Sequence, residues 1–177
     1  MNFLDSLSDS HRDALMSIAT RVPVAANAYL VRRGDPGGDL FVVASGRMAV
    51  VDTRTRPTTI IASMSEGDVI GEVAFLDRTP RSADVRAEVD GEVLHWRRAD
   101  VSELFERNPV LGAAFYEALC RVSVRRLRRQ TNQAVTHSTT VPGSANPQRG
   151  SRLMQDVESV VVPLKRVLRT VELRVRA

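Results

Sequence analysis

The chain has 177 residues and a mass of 19.5 kDa, is 43% hydrophobic and 26% charged, and contains 10 Gly and 8 Pro. This excludes a fibrous or wholly disordered protein and leaves room for one packed domain with an appendage. No apolar run approaches the roughly 18 to 20 residues of a bilayer span. The amino-terminal MNFLDSLSDSHRD lacks the basic and apolar regions of a signal peptide, and the single Cys120 has no partner for an intramolecular disulfide. A cytoplasmic protein without a transmembrane segment is the expectation. The net charge of +4 hides an asymmetry: residues 121–177 carry twelve basic side chains against Asp156, Glu158 and Glu172, a balance of +9 that leaves −5 on residues 1–120. Such a distribution marks a basic end with a separate task or an acidic partner.

In chain order, Ser8 or Ser10 is placed to cap a first helix reaching about Thr20, ahead of Val22-Pro23. Short apolar runs follow. Leu40 to Val43 and Met48 to Val51 flank Ser45-Gly46 and predict a tight hairpin. Further strands are expected at Thr58 to Ala62, Val69-Ile70, Ala83 to Val89 and Val93 to Trp96. Many short strands separated by turn residues favour a sandwich or barrel over a parallel sheet. Asp100 and Glu103 form a capping pattern that predicts a short helix to Arg107. Pro109 suits the first position of a longer helix running to about Arg129. Its apolar face comprises Leu111, Phe115, Ala118, Leu119, Val122 and Leu127, and its last turns carry Arg121, Arg125, Arg126, Arg128 and Arg129, where cations meet the negative end of the dipole.

Gln130 to about Ser151 is polar without periodicity and reads as a linker. From Leu153 an apolar heptad stripe runs through Val157, Val160, Leu164, Val167 and Val171. Pro163 interrupts it, and Val171, Leu173 and Val175 alternate as in a strand, so helix and strand both stay open there. The expected organisation is a domain over residues 1–130, a flexible polar linker over 131–152, and an apolar, basic segment over 153–177 that docks or pairs.

The chemistry concentrates between Glu66 and Val85. A strand enters at Gly71, a helical turn spans Val73 to Leu76, and a strand leaves at Ala83. A first turn offers unpaired N–H groups to a phosphate, and Gly71 allows close approach of the main chain. Arg81 supplies a planar fork of donors for two phosphate oxygens, and Ser82 adds a further donor. Glu72 accepts hydrogen bonds, which suits a sugar hydroxyl. An acid and an arginine one helical turn apart can therefore grip both ends of a ribose phosphate.

The run Gly71, Glu72, Ala74, Leu76, Pro80, Arg81, Ser82 and Ala83 resembles the G-E-x-A-x-L-x-x-x-P-R-S-A phosphate-binding cassette of the cyclic nucleotide-binding domain family. The likeness reaches back through Gly34-Asp35-Pro36-Gly37-Gly38-Asp39-Leu40-Phe41 and Ser45-Gly46-Arg47, and forward through Asn108-Pro109, covering about residues 3–130. It implies a mainly β fold, an eight-stranded β-roll of jelly-roll type with flanking α-helices and a long C-terminal helix. It implies a ligand, cyclic AMP or cyclic GMP, rather than a cofactor. Arg81 would take the cyclic phosphate, Glu72 the ribose 2′-hydroxyl, and Gly71, Val73, Ala74, Ser82 and Ala83 would complete the site.

The sequence departs from bacterial regulators of that family in lacking paired hydroxyl residues around Val122, Ser123, Arg125 and Arg126, and residues 131–177 hold no helix–turn–recognition-helix pattern. Sequence-specific DNA binding is not expected, and a homodimer or protein partner is. His11, His95 and His137 are scattered and are expected to lack acidic or cysteine companions for a metal or catalytic site, and no catalytic constellation is read. A non-enzymatic sensor is the leading expectation. The alternatives are a scaffold that attaches through a β-roll face or the apolar tail, and a nucleic-acid binder working through the arginine cluster.

Overall fold

The computed structural model describes residues 2–138; the heptad stripe and most of the expected linker lie outside the described residues. Among the described residues, 2–119 form one compact unit, and those from Cys120 onward belong to a second. The first begins with a single 3-10 turn, Leu4–Ser6, and helix α1, Asp9–Met16. Strands β1 (Thr20–Val24), β2 (Tyr29–Val31), β3 (Leu40–Ser45), β4 (Met48–Asp52), β5 (Thr59–Met64) and β6 (Val69–Ile70) follow. Helix α2 (Glu72–Asp77), strands β7 (Asp84–Ala87) and β8 (Gly91–Trp96), and helices α3 (Arg98–Arg107) and α4 (Pro109–Ser138) complete the order.

The strands make two four-stranded antiparallel sheets, ordered β1-β8-β3-β6 and β2-β7-β4-β5. All eight strands contribute to one buried cluster, which includes Val24, Val31, Phe41, Val43, Met48, Met64, Ile70, Val85, Ala87 and Val93. The expected eight-stranded β-roll is thus present.

Several local expectations change. β3 and β4 are not a hairpin, because they lie in different sheets. Ser45-Gly46 is instead where the chain crosses over, with Gly46 at φ +81 and no room for a Cβ against the Asp90 carbonyl and Gly91 Cα. The return crossing at Asp90-Gly91 packs against it. A strand pair with one solvated face would alternate in burial, whereas Leu40, Phe41, Val42 and Val43 are all buried.

The first helix ends at Met16 rather than near Thr20, and Thr20–Val24 is strand β1. Its alternation is short, Val24 buried and Val22 half-buried against the core between exposed Arg21 and Pro23, and Pro23 is tolerated because β1 is a sheet edge. Ser8 does cap α1, accepting from the His11 amide. Helix α3 starts at Arg98, earlier than the Asp100 pattern predicts: Asp100 is occupied by the Arg97 guanidinium at 2.8 and 3.0 Å. The long helix begins at Pro109 as expected, with Asn108 Oδ1 accepting from the Leu111 amide at 3.0 Å. It continues past Arg129 to Ser138, since neither Gly nor Pro occurs between Ala113 and Ser138.

Trp96 is fully buried, and its indole N–H donates to the Leu15 carbonyl at 2.8 Å, fastening α1 to β8. Trp96→Phe removes that donor, leaving the Leu15 carbonyl with the Ile18 amide at 3.2 Å, and opens a gap where the indole packed. A stability loss of roughly 2 kcal/mol is expected, read as a lower midpoint in chemical or thermal unfolding. A second apolar centre is aromatic. Phe115 of α4 meets Phe3 at 5.2 Å, Phe105 of α3 at 5.0 Å and Phe75 of α2 at 5.6 Å.

Candidate functional site

The segment between β6 and β7 holds the predicted residues. Gly71 is the residue before α2 and takes φ +90, a left-handed conformation open chiefly to glycine. A Cβ there would collide with Arg81 Nη1 and stand 3.1 Å from the Asp39 carbonyl oxygen. Gly71 thus serves Arg81, whose guanidinium passes over its Cα. Glu72 opens α2 and is buried, Ala74 is buried beneath it, and Val73 is half-buried. Arg81 is only 7% exposed, whereas Ser82 is exposed and Ala83 half-buried.

Arg81 is fixed at both ends. Its main chain pairs with the loop after β2, through Gly34 N–H to the Arg81 carbonyl at 2.8 Å and Arg81 N–H to the Asp35 carbonyl at 2.9 Å. Its Nη2 donates to the Asp39 carbonyl at 2.9 Å, and the guanidinium lies 5.5 Å from the Phe41 ring centroid. Nη1 is buried without a hydrogen-bond partner among the described residues. Burial pushes the Arg81 pKa down, and the charges of Asp39, Asp35 and Glu72 pull it back up without cancelling the shift. A buried cation with a free donor is unfavourable alone and favourable once an anion arrives.

Gly37 closes the loop against α2, since a Cβ there would meet the Thr79 carbonyl and stand 2.6 Å from Ala74 Cβ, a separation real side chains do not show. Thr79 itself folds back on Asp77, its amide 2.9 Å from Oδ1. The buried Asp84 carboxylate ties neighbouring turns to β7 by accepting from Thr53 Oγ1 at 2.6 Å and the Arg33 amide at 3.0 Å.

Sequence reasoning missed the layer behind Arg81. Asp39 Oδ1 accepts the Arg98 amide at 3.0 Å, and so caps α3 from a distant loop. Asp39 Oδ2 is 2.8 Å from His95 Nε2. The expectation that His95 lacks an acidic companion is therefore corrected: pairing of β3 with β8 sets Phe41 opposite His95 and brings Asp39 to it across 56 residues. Burial raises the Asp39 pKa, but the Arg98 amide, His95 and Arg81 outweigh it and hold the carboxyl below its ordinary value. Arg98 turns its guanidinium to the carbonyls of Ala74 and Phe75 at the end of α2 and stacks 4.6 Å over the Phe75 ring. The only sequence trace of this layer is Gly37-Gly38-Asp39, which reads as a turn. Among the described residues no group of three or more His, Cys, Asp or Glu is placed to hold a metal ion.

With this geometry in view, residues 21–108 match the family model described as the cyclic nucleotide-binding domain. The chain belongs to the cyclic nucleotide-binding domain family. An uncharacterized NTE family protein of Mycobacterium tuberculosis (strain ATCC 25618 / H37Rv) is 30% identical over 119 residues, which cover 67% of this chain and 20% of that protein. A cAMP-dependent protein kinase regulatory subunit of Emericella nidulans is 32% identical over 91 residues, 51% of this chain and 21% of that subunit. The chain thus spans about a fifth of the length of these curated relatives. The crystal structure of a cyclic nucleotide-binding domain from Methylobacillus flagellatus KT shares the fold, with a TM-score of 0.69 and 23% identity over 79% of this chain and 78% of that one. No helix among the described residues is long and apolar enough to cross a membrane.

Proposed function

We propose that this cyclic nucleotide-binding domain is a non-enzymatic sensor of cyclic AMP or cyclic GMP. The observation that carries the reading is Arg81: a buried guanidinium held by the Asp39 carbonyl, with a buried Nη1 over Gly71 and beside Glu72 that has no partner among the described residues. In this reading the cyclic phosphate takes the free donors of Arg81, and Glu72 accepts from the ribose 2′-hydroxyl. Gly71, Val73, Ala74, Ser82 and Ala83 enclose the ribose phosphate.

The output would pass through α2, whose Phe75 ring touches both Phe115 and Tyr116 of α4, at 5.6 and 6.3 Å. Ligand contacts made in one arrangement of α2 shift the equilibrium of the long helix by their differential affinity. A partner chain or a second copy would receive that shift through α4 and the residues beyond it.

Calorimetric titration of the whole chain with cyclic AMP and cyclic GMP tests the reading. Saturable binding is expected, with the tighter nucleotide identifying the base. Glu72→Ala is expected to weaken it about tenfold to a hundredfold, the effect of one lost hydrogen bond to a charged acceptor. A folded protein that produces no heat with either nucleotide would sink the sensor reading. One observation favours a second reading: edge strand β5 leaves Ile60 and Ile61 51% and 54% exposed, apolar surface suited to attachment within a larger assembly.

A further inference from the structure

Asp39 and His95 stand one contact behind Arg81. The Asp39 carboxylate meets His95 Nε2 at 2.8 Å, while the main-chain carbonyl of the same residue accepts from Arg81 Nη2 at 2.9 Å. The His95 ring also stacks on Phe41, with centroids 4.7 Å apart and planes 17° apart, and Arg81 lies against that same ring. His95 therefore reaches the arginine by two routes and touches none of the residues assigned to the ligand.

We propose that His95 is a positioning residue for Arg81, and that its protonation, relayed through Asp39 and Phe41, tightens binding of an anionic cyclic nucleotide. The inference rests on the nucleotide-binding reading above and adds to it a dependence on pH. When the imidazole is neutral, the Asp39 charge attracts the Arg81 guanidinium and competes with an incoming phosphate. Protonation turns the Asp39–His95 contact into a charge-assisted pair, matches the carboxylate locally and adds a positive charge behind the site. Arg81 is then less engaged by Asp39 and more available to the ligand. By linkage, the bound anion favours the imidazolium to the same extent.

The charged groups around the Asp39–His95 pair fit this assignment. Asp39 comes from the loop before β3, Arg98 from the start of α3, and Arg81 from the turn before β7. Strand β1 sets the uncharged Thr20 opposite His95. A phosphodiester stays anionic across the range in which an imidazole titrates, so the ligand adds no slope of its own.

The experiment is titration of the whole chain with cyclic AMP and cyclic GMP at about pH 6, 7 and 8, beside His95→Gln and Asp39→Asn. Wild-type affinity is expected to be about fivefold higher at the acid end than at the alkaline end. His95→Gln retains a donor toward Asp39 but does not titrate, so it should keep the alkaline affinity and lose the slope. Asp39→Asn should lose the slope as well, with its main-chain carbonyl still available to Arg81. A flat wild-type profile, a slope retained in both variants, or an equal loss at every pH overturns the positioning role and leaves the nucleotide reading standing. Absence of binding at every pH by folded protein overturns both.

Discussion

Arg81→Ala is expected to weaken cyclic nucleotide binding by roughly a hundredfold to a thousandfold, the effect of removing two charge-assisted hydrogen bonds from a buried site. The free protein should barely notice. Among the described residues the Arg81 side chain donates one hydrogen bond, to the Asp39 carbonyl, and that gain is set against burying a cation whose Nη1 has no partner there. These terms oppose each other, so the unfolding free energy should move by about 1 kcal/mol or less. Calorimetry and thermal unfolding on the same preparation check the result, and only a large loss of affinity with a small change in stability fits a binding arginine. A structural arginine would lose stability first, and an attachment scaffold would keep its partner after Arg81→Ala and lose it on removal of residues 151–177.

The second large effect is expected at Gly71. Gly71→Ala introduces a Cβ where Arg81 Nη1 lies, in a backbone conformation at φ +90 that side chains rarely adopt. The guanidinium must move, so ligand affinity should fall as far as in Arg81→Ala, now with a stability loss of about 1–3 kcal/mol from the strained backbone and displaced side chain. The double variant separates the causes. Removing the Arg81 side chain relieves the collision, so the two stability losses should be less than additive, and the unrelieved remainder measures the backbone strain. Full additivity would mean that Gly71 and Arg81 do not share the contact.

The candidate site was legible because its parts are contiguous. Gly71, Glu72, Ala74, Pro80, Arg81, Ser82 and Ala83 lie within one short stretch, where residue type and spacing alone predict a strand, a helical turn and a strand. The structure adds the bounds Val69–Ile70, Glu72–Asp77 and Asp84–Ala87. Likewise Ser8 and the Asn108-Pro109 pair act through neighbours three residues away, so the starts of α1 and α4 could be read from local chemistry. The buried positions Leu111, Phe115, Ala118 and Leu119 follow the helical period and were equally open to reading.

From the residues alone come six of the eight strands, those from Leu40 onward, the helix starts near Ser8 and Pro109, and a contiguous acid–arginine segment between Gly71 and Ala83. Tertiary structure alone decided how those pieces join. Ser45-Gly46 has the composition of a hairpin, but its strands pair elsewhere because both need burial on two sides. Thr20–Val24 has only the brief Val22 and Val24 alternation around Pro23 and becomes a strand because β8 offers it an edge. Asp39 lies in a glycine turn and becomes the cap of α3, the partner of His95 and the anchor of Arg81 only after β3 and β8 align. Hydrogen bonds between groups dozens of residues apart leave no mark in local periodicity, since their distance is set by strand register and not by spacing along the chain.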